Sequence, residues 1–254
     1  MTLRKRVIVC LDVSGDRVVK GVQFAGLRDV GDPATLAARY EAAGADEVVF
    51  LDVSATIDRR DTLLDCVRRT AEALFIPLTV GGGIRSVDDA SRALRAGADK
   101  IGVNSAAVVR PALLTELSAR FGAQCVVASI DAKRAGPRWA VFVRGGRVPT
   151  GRDALEWARE CVARGAGEIL LTSIDRDGTR TGYDLALTHA VASCVSVPVI
   201  ASGGAGSPDD VRRVLTETGA DAALVAGILH DGGATVFGIK AALASGNVCI
   251  RGAA

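Results

Sequence analysis

At 254 residues, with 49% hydrophobic but only 4% aromatic side chains, the chain has material for a large core that Val, Ile, Leu and Ala must fill. A formal net charge of +2, with Lys and Arg scattered among acids, leaves no surface suited to nucleic acid. No apolar run approaches the ~20 residues of a membrane span, and the run after the basic amino terminus meets Asp12 where a signal peptide would continue, so a cytoplasmic protein without membrane contact is expected.

Short β-branched runs alternate with amphipathic stretches along the whole chain, the pattern of βα units around a parallel sheet. The first strand, 5–11, runs into Asp12 and is followed by a long basic, glycine-containing connection, 13–32, around Lys20 and Gly21. A helix over 33–43 stops at Gly44, and a strand over 47–52 ends at Asp52. The strand 77–81 enters Gly81-Gly82-Gly83, a helix runs from Ser86 to Gly97, and the strand 100–104 leads into Asn104-Ser105. The fifth strand, 125–131, ends on Asp131, and the segment 135–152 after it reads as a hairpin turning at Gly145-Gly146. Strands at 168–173, 198–202 and 222–226 follow, with a helix from Ser207 to Gly219 before the last.

Eight strand–helix units without a linker predict an α/β fold, a (β/α)8 (TIM) barrel forming one domain over 1–254. The two long connections, 13–32 and 135–152, are expected over the mouth of the site. The chain also repeats itself. "VIVCLDV" is echoed by "VVASIDA", aligning Asp12 with Asp131; "VVFLDVS" is echoed by "ILLTSID", aligning Asp52 with Asp175; "IPLTVGGGI" is echoed by "VPVIASGGA"; and "GAD" recurs at Gly97 and Gly219. Two half-barrels, about 1–122 and 123–254, are expected.

The chemistry follows from that repeat. Asp12 and Asp131 end opposite strands at the face where barrel enzymes build their sites. With His189 and His230 the only histidines, this pair is the natural source of general acid and general base, although an acid at a strand end also serves as an ordinary cap. The glycine turns at Gly81-Gly82-Gly83 and at Ser202 to Gly206 each follow a strand and precede a helix, where bare N–H groups attract phosphate; Asn104-Ser105 and Ala226-Gly227 would complete two pockets. A ligand with two phosphate ends suits such a molecule. At the opposite end, Arg6, Glu47, Lys100 and Glu168 begin strands, and alternation places Arg6 on the face of Asp12, Lys100 on that of Asn104 and Glu168 on that of Thr172. Two cations and two anions could close the floor as a ring, or be solvated turn charges. The six cysteines, Cys10, Cys66, Cys125, Cys161, Cys194 and Cys249, contain no C-x-x-C pair, so neither a metal site nor disulfides are expected, and no cofactor motif occurs.

The segments "VIVCLDV", "RVVKG", "LRDVGDP", "VFLDVSA", "LTVGGGIR", "GADKIGVNSAAV", "SIDAKR", "GAGEILLTSIDRDGTRTGYD" and "VIASGGAG", spanning about Arg6 to Ala226, together resemble the cyclase subunits of imidazole glycerol phosphate synthase, barrel enzymes of histidine biosynthesis. The resemblance implies a heterodimer in which a separate glutaminase subunit, docked on the amino-terminal barrel face, supplies ammonia. The ammonia would convert a bisphosphorylated ribulosyl aminoimidazole carboxamide nucleotide, PRFAR, to imidazole glycerol phosphate and aminoimidazole carboxamide ribotide, AICAR. It also implies roles: Asp12 and Asp131 as the acid–base pair; Lys20 as a loop residue reaching the substrate; Asp52, Asn104, Ser105, Thr172, Asp177 and Gly178 lining the site; Gly83, Gly203, Gly204, Ala226 and Gly227 at the phosphates; and Arg6, Glu47, Lys100 and Glu168 as an ammonia gate. Two positions depart from the family pattern, which usually has Ser or a similar residue at Gly102 and Gly227; Gly102 could widen the interior route. Alternatives are the sister isomerase that makes the ketose from the aminoaldose bisphosphate, and a cyclase-like barrel that passes ammonia to another acceptor.

Overall fold

A computed structural model describes residues 4–22, 25–53, 55 and 63–252; residues 23–24 of the predicted first connection and Ser54 of the "VFLDVSA" motif lie outside them. The eight barrel strands are β1 (Arg6–Ser14), β4 (Glu47–Asp52), β5 (Leu78–Gly81), β6 (Lys100–Val103), β7 (Val126–Ala135), β10 (Glu168–Ser173), β11 (Val199–Ser202) and β12 (Ala222–Val225). All pair in parallel in that order, and β12 returns to β1 to close the ring. Each bond partner is thus another strand of the same ring, and the barrel wall has no edge.

Helices cover the outside, with ends set by local chemistry. The helices α3 (Val87–Arg95) and α8 (Pro208–Glu217) share one design: Ser86 accepts from the Asp89 N–H at 3.1 Å and Ser207 from the Asp210 N–H at 3.2 Å, with two acids in each first turn. The helix α1 (Pro33–Ala42) is capped by Asp32, which accepts from the Thr35 N–H, and α6 (Ala154–Ala163) by Asp153. The barrel wall presents Leu11, Phe50, Ile130 and Ile169 to these helices in one continuous core, while Ile8, Cys10, Val49, Val127, Leu170, Ile200, Ala222 and Leu224 form a separate apolar cluster inside the ring.

The first long connection is more regular than its sequence suggests, and the second is the hairpin expected there. The segment 13–32 contains two antiparallel strands, β2 (Arg17–Val22) and β3 (Ala25–Gly31), which continue β1 beyond the rim. The alternating "RVVKGV" carries this pairing despite irregularities between Val18 and Val19 and between Lys20 and Val22. In the second half β8 (Arg138–Val143) and β9 (Val148–Asp153) continue β7 in the same way. The strands bearing Asp12 and Asp131, β1 and β7, therefore each carry a two-stranded flap.

The ladder also corrects the repeat. Asp12 pairs with Leu51 as Asp131 pairs with Thr172, and Val13 with Asp52 as Ala132 with Ser173. The counterpart of Asp52 is therefore Ser173 and not Asp175, which lies two residues further on and accepts the Arg134 N–H at 2.7 Å. Among the described residues no helix is long and apolar enough to cross a membrane.

One ion pair lies in the wall. Lys240, on the last helix, α10 (Val236–Ser245), donates to Asp46 at 2.7 Å, each side chain only 4% exposed, and Asp46 also accepts the Val7 N–H at 2.8 Å. Removing one partner of such a pair costs about 3–5 kcal/mol because the other is left charged and buried. Lys240→Met should therefore lower stability by about that amount in urea unfolding, and adding Asp46→Asn should recover at least half. An undiminished loss in the double variant would locate the cost in packing instead.

Candidate active site

The mouth of the barrel gathers three carboxylates. Asp12 and Asp131 rise from β1 and β7 on opposite sides, and Asp177 comes in from the loop after β10, its N–H donating to the Ser173 carbonyl at 2.9 Å. Burial and the charge of Asp177 push both Asp12 and Asp131 up to about 7. The Cys10 thiol lies 3.5 Å from Asp12, and the Asn104 amide donates to Asp131 at 2.9 Å, each partly opposing that rise. Asp177 is itself raised by burial, with the Gly178 N–H opposing. Such a site holds one carboxyl protonated and another ionised near neutrality. His230 does not compete for the role: burial drives it down to about 4, and its ring is locked between the Tyr40 hydroxyl at 2.7 Å and the Cys10 carbonyl at 3.1 Å.

Asn104 has a second use. Its Oδ1 is buried and has no partner among the described residues, an acceptor held ready beside Asp131. Thr172 pairs with Asp131 across the ladder, on the interior face that it shares with Leu170. Asp52 behaves differently from the sequence expectation. It falls on the face of Val48 and Phe50, which pack outward, and its Oδ1 accepts the Ala55 N–H at 3.0 Å, so it braces the loop after β4 and does not line the interior.

The glycine turns pass close to neighbouring backbone. A Cβ on Gly204 would lie 2.2 Å from the Gly182 carbonyl oxygen, and one on Gly203 2.8 Å from that of Ser173, with φ of +105° and +91°. In the first half the crowded residue is Gly82, whose Cβ would meet the Asp52 carbonyl at 2.1 Å; Gly83, singled out from sequence, and Gly178 have φ of +76° and +73°. The residues completing the pockets match in backbone: Asn104 has φ −122°, ψ −91° before α4 (Ser105–Val109), and Ala226 φ −133°, ψ −80° before α9 (Gly227–His230).

Each pocket touches a flap. Lys20 Nζ donates to the Gly227 carbonyl at 3.2 Å and pairs with Asp231, and a Cβ on Gly227 would lie 3.3 Å from that Nζ. Across the mouth the Arg144 N–H donates to Ser105 Oγ at 3.1 Å. Sequence reasoning missed Arg144, Arg28, Arg180 and Asp231. The acid-free basic run from Lys133 to Arg152 was a signal for the first; Lys20 and Asp231 stand 211 residues apart, and no local pattern joins them.

At the opposite end the four charges meet. Arg6 donates to Glu47 at 3.0 Å and to Glu168, and Lys100 donates to Glu47 at 2.9 and 3.0 Å and to Glu168 at 2.9 Å. Thr79 Oγ1 adds a bond to Glu47 at 2.8 Å. Above this floor, a Cβ on Gly102 would lie 3.3 Å from Ser129 Oγ, so a small side chain would fit there only tightly.

A barrel with paired carboxyls, duplicated glycine pockets and a charged floor has known relatives. The family described as "Histidine biosynthesis protein" matches residues 6–235. Two proteins named imidazole glycerol phosphate synthase subunit HisF, from Myxococcus xanthus and Acidobacterium capsulatum, are 71% and 58% identical over 249 residues, 98% of this chain and 98% of each relative. The chain belongs to the histidine biosynthesis family, within its imidazole glycerol phosphate synthase HisF subunits.

Proposed function

We propose that the chain is the cytoplasmic cyclase subunit of imidazole glycerol phosphate synthase, which takes ammonia from a glutaminase partner and converts PRFAR to imidazole glycerol phosphate and AICAR. The observation that carries this reading is the pair Asp12 and Asp131, both near 7 and facing each other across a mouth flanked by two glycine pockets. Adding ammonia to the ribulosyl carbonyl requires a proton delivered to oxygen and one removed from nitrogen, and closing the ring requires a proton for the departing aminoimidazole. One neutral and one ionised carboxyl can perform these transfers in turn. The unpartnered Asn104 Oδ1 would accept from substrate N–H or O–H beside Asp131. The identity to HisF subunits favours this cyclisation over isomerisation in the sister barrel.

We take the chain as one domain of two half-barrels. The shared backbone at Asn104 and Ala226 supports this, and a substrate with two phosphates would use both pockets. The partner would dock on the amino-terminal face, where the ring of Arg6, Glu47, Lys100 and Glu168 closes the floor and would open to admit ammonia. Incubating the purified chain with PRFAR and ammonium and following imidazole glycerol phosphate tests the reading; no product would reject it.

Asp12→Asn or Asp131→Asn should lower ammonia-dependent turnover by roughly 10²–10⁴-fold. The same variants should be more stable than the parent at pH 8. The fold raises these groups from about 3.9 in the unfolded chain, so it favours their neutral form, and the parent loses that stability as pH rises through about 7. The gain should vanish below about pH 4. Thermal unfolding at both pH values checks this; equal midpoints at pH 8 would mean that neither carboxylate is disfavoured by its site.

Lys100→Ala leaves Glu47 and Glu168 facing each other with one cation, Arg6, between them. Turnover driven by glutamine through the partner should lose its coupling to glutamine hydrolysis, whereas turnover with added ammonium, which can enter from the mouth, should change much less. Equal losses with both nitrogen sources would assign Lys100 to the fold or the substrate site.

A further inference from the structure

Three non-glycine residues among those described have positive φ: Arg144 at +55°, Arg180 at +58° and Asn247 at +59°. Asparagine tolerates this region, but arginine gains nothing there from its side chain locally and is an uncommon occupant. The two arginines sit one at each pocket of the mouth. Arg144 directly follows the β8 strand, immediately before Gly145-Gly146, and its N–H is docked on Ser105. Arg180 lies across the mouth, where a Cβ on Gly206 would meet its carbonyl at 2.1 Å and a Cβ on Gly227 would lie 4.0 Å from its guanidinium. Ser105 and Gly227 are counterparts, each following one of the two backbone-matched residues, Asn104 and Ala226.

Glycine would satisfy the left-handed backbone at both positions without strain, and glycines adjoin or nearly adjoin both. Arginine adds only a cation. At the Gly227 pocket that cation is already engaged with an anion: Arg180, Lys20 and Arg28 all converge on the single carboxylate of Asp231. At the Ser105 pocket the Arg144 side chain is exposed and has no partner among the described residues, on a flap carrying Lys133, Arg134, Arg138, Arg147 and Arg152 and no acid between residues 133 and 152. We infer that Arg144 and Arg180 are the paired cations that bind the two phosphate groups of the substrate, Arg144 at the Ser105 pocket and Arg180 at the Gly227 pocket, with the Asp231 carboxylate standing in for the second phosphate when none is bound. The inference rests on the two-phosphate reading proposed above.

Arg144→Gly and Arg180→Gly test it, because glycine accepts the backbone conformation and residue 144 keeps its N–H for Ser105, so that only the guanidinium is lost. Inorganic phosphate is titrated into the unaltered chain and each variant, and KM and kcat for PRFAR are measured with ammonium. Two phosphate sites are expected in the unaltered chain, and each variant should weaken one of them, a different one in each case, by roughly 10-fold or more, as loss of a charge-assisted bond implies. KM should rise by a similar factor, with kcat falling far less, and thermal unfolding should show that both variants remain folded. Unchanged affinity at both phosphate sites, with unchanged KM, would overturn the inference. So would weakening of both sites equally by either variant, which would reveal a diffuse field rather than two fixed contacts. Failure of the unaltered chain to bind phosphate at either pocket would overturn the two-phosphate reading and the inference with it, and that outcome is read before any variant is compared.

Discussion

Alternation along a parallel strand in a closed ring is the constraint on which everything else depends. A residue two, four or six places along β1 returns to the same side of the wall, so Arg6, Ile8, Cys10 and Asp12 form one interior column that begins in the floor and ends at the mouth. The same holds for Lys100, Gly102 and Asn104 and for Glu168, Leu170 and Thr172. Once the ring closes between β12 and β1, these columns converge, and residues more than 160 positions apart in sequence, such as Arg6 and Glu168, meet without any element dedicated to bringing them together. A single residue inserted in such a strand would exchange every interior group for one that faces the helices.

The two ends of the columns solve opposite electrostatic problems. In the floor, two buried carboxylates and two half-buried cations each meet two charges of opposite sign, and Thr79 adds a hydrogen bond. At the mouth, three carboxylates share a partly buried space, and among the described residues no cation pairs with Asp12 or Asp131. Their neighbours are the Cys10 thiol, the Asn104 amide and the charge of Asp177, and burial dominates. The mouth therefore disfavours the ionised form of Asp12 and Asp131, whereas the floor and the Lys240–Asp46 pair match each charge with its opposite.

How much of this was legible in the sequence depends on the range of the signal. The strand runs, the Ser86 and Ser207 caps and the position of Asp12 and Asp131 are local patterns with period two or with fixed cap spacing, and they stand where the pattern put them. The floor residues could be aligned with the mouth by counting along each strand. Whether they would pair or lie in solvent required the ring. The parity of Asp52 is that of Val48 and Phe50, and matching "LDVS" with "TSID" by letters hides the two-residue displacement that the ladder reveals. The second flap is legible as a hairpin from Gly145-Gly146, whereas the strands of the first are not, because their pairing is interrupted by irregularities and glycine. The backbone of Arg144 and Arg180 is hidden for another reason: the left-handed conformation has a recognisable sequence signature only when glycine or asparagine occupies it.

The duplication is faithful at the mouth and abandoned inside. Following the ladder, Asp12 matches Asp131, Asn104 matches Ala226 and Ser105 matches Gly227, so both pockets and both acids keep their places. Deeper in the ring the same register sets Thr79 against Ile200, Lys100 against Ala222, Gly102 against Leu224 and Ser129 against Cys10. At these positions one side of the interior holds apolar side chains of the inner cluster, while the other holds small or polar ones leading from Lys100 past Gly102 and Ser129 to Asn104 and Asp131. A substrate with two similar ends requires symmetry only where its ends bind. In the cyclase reading proposed above, ammonia arriving at one carbonyl would travel along the polar side, with the apolar residues of the inner cluster opposite it.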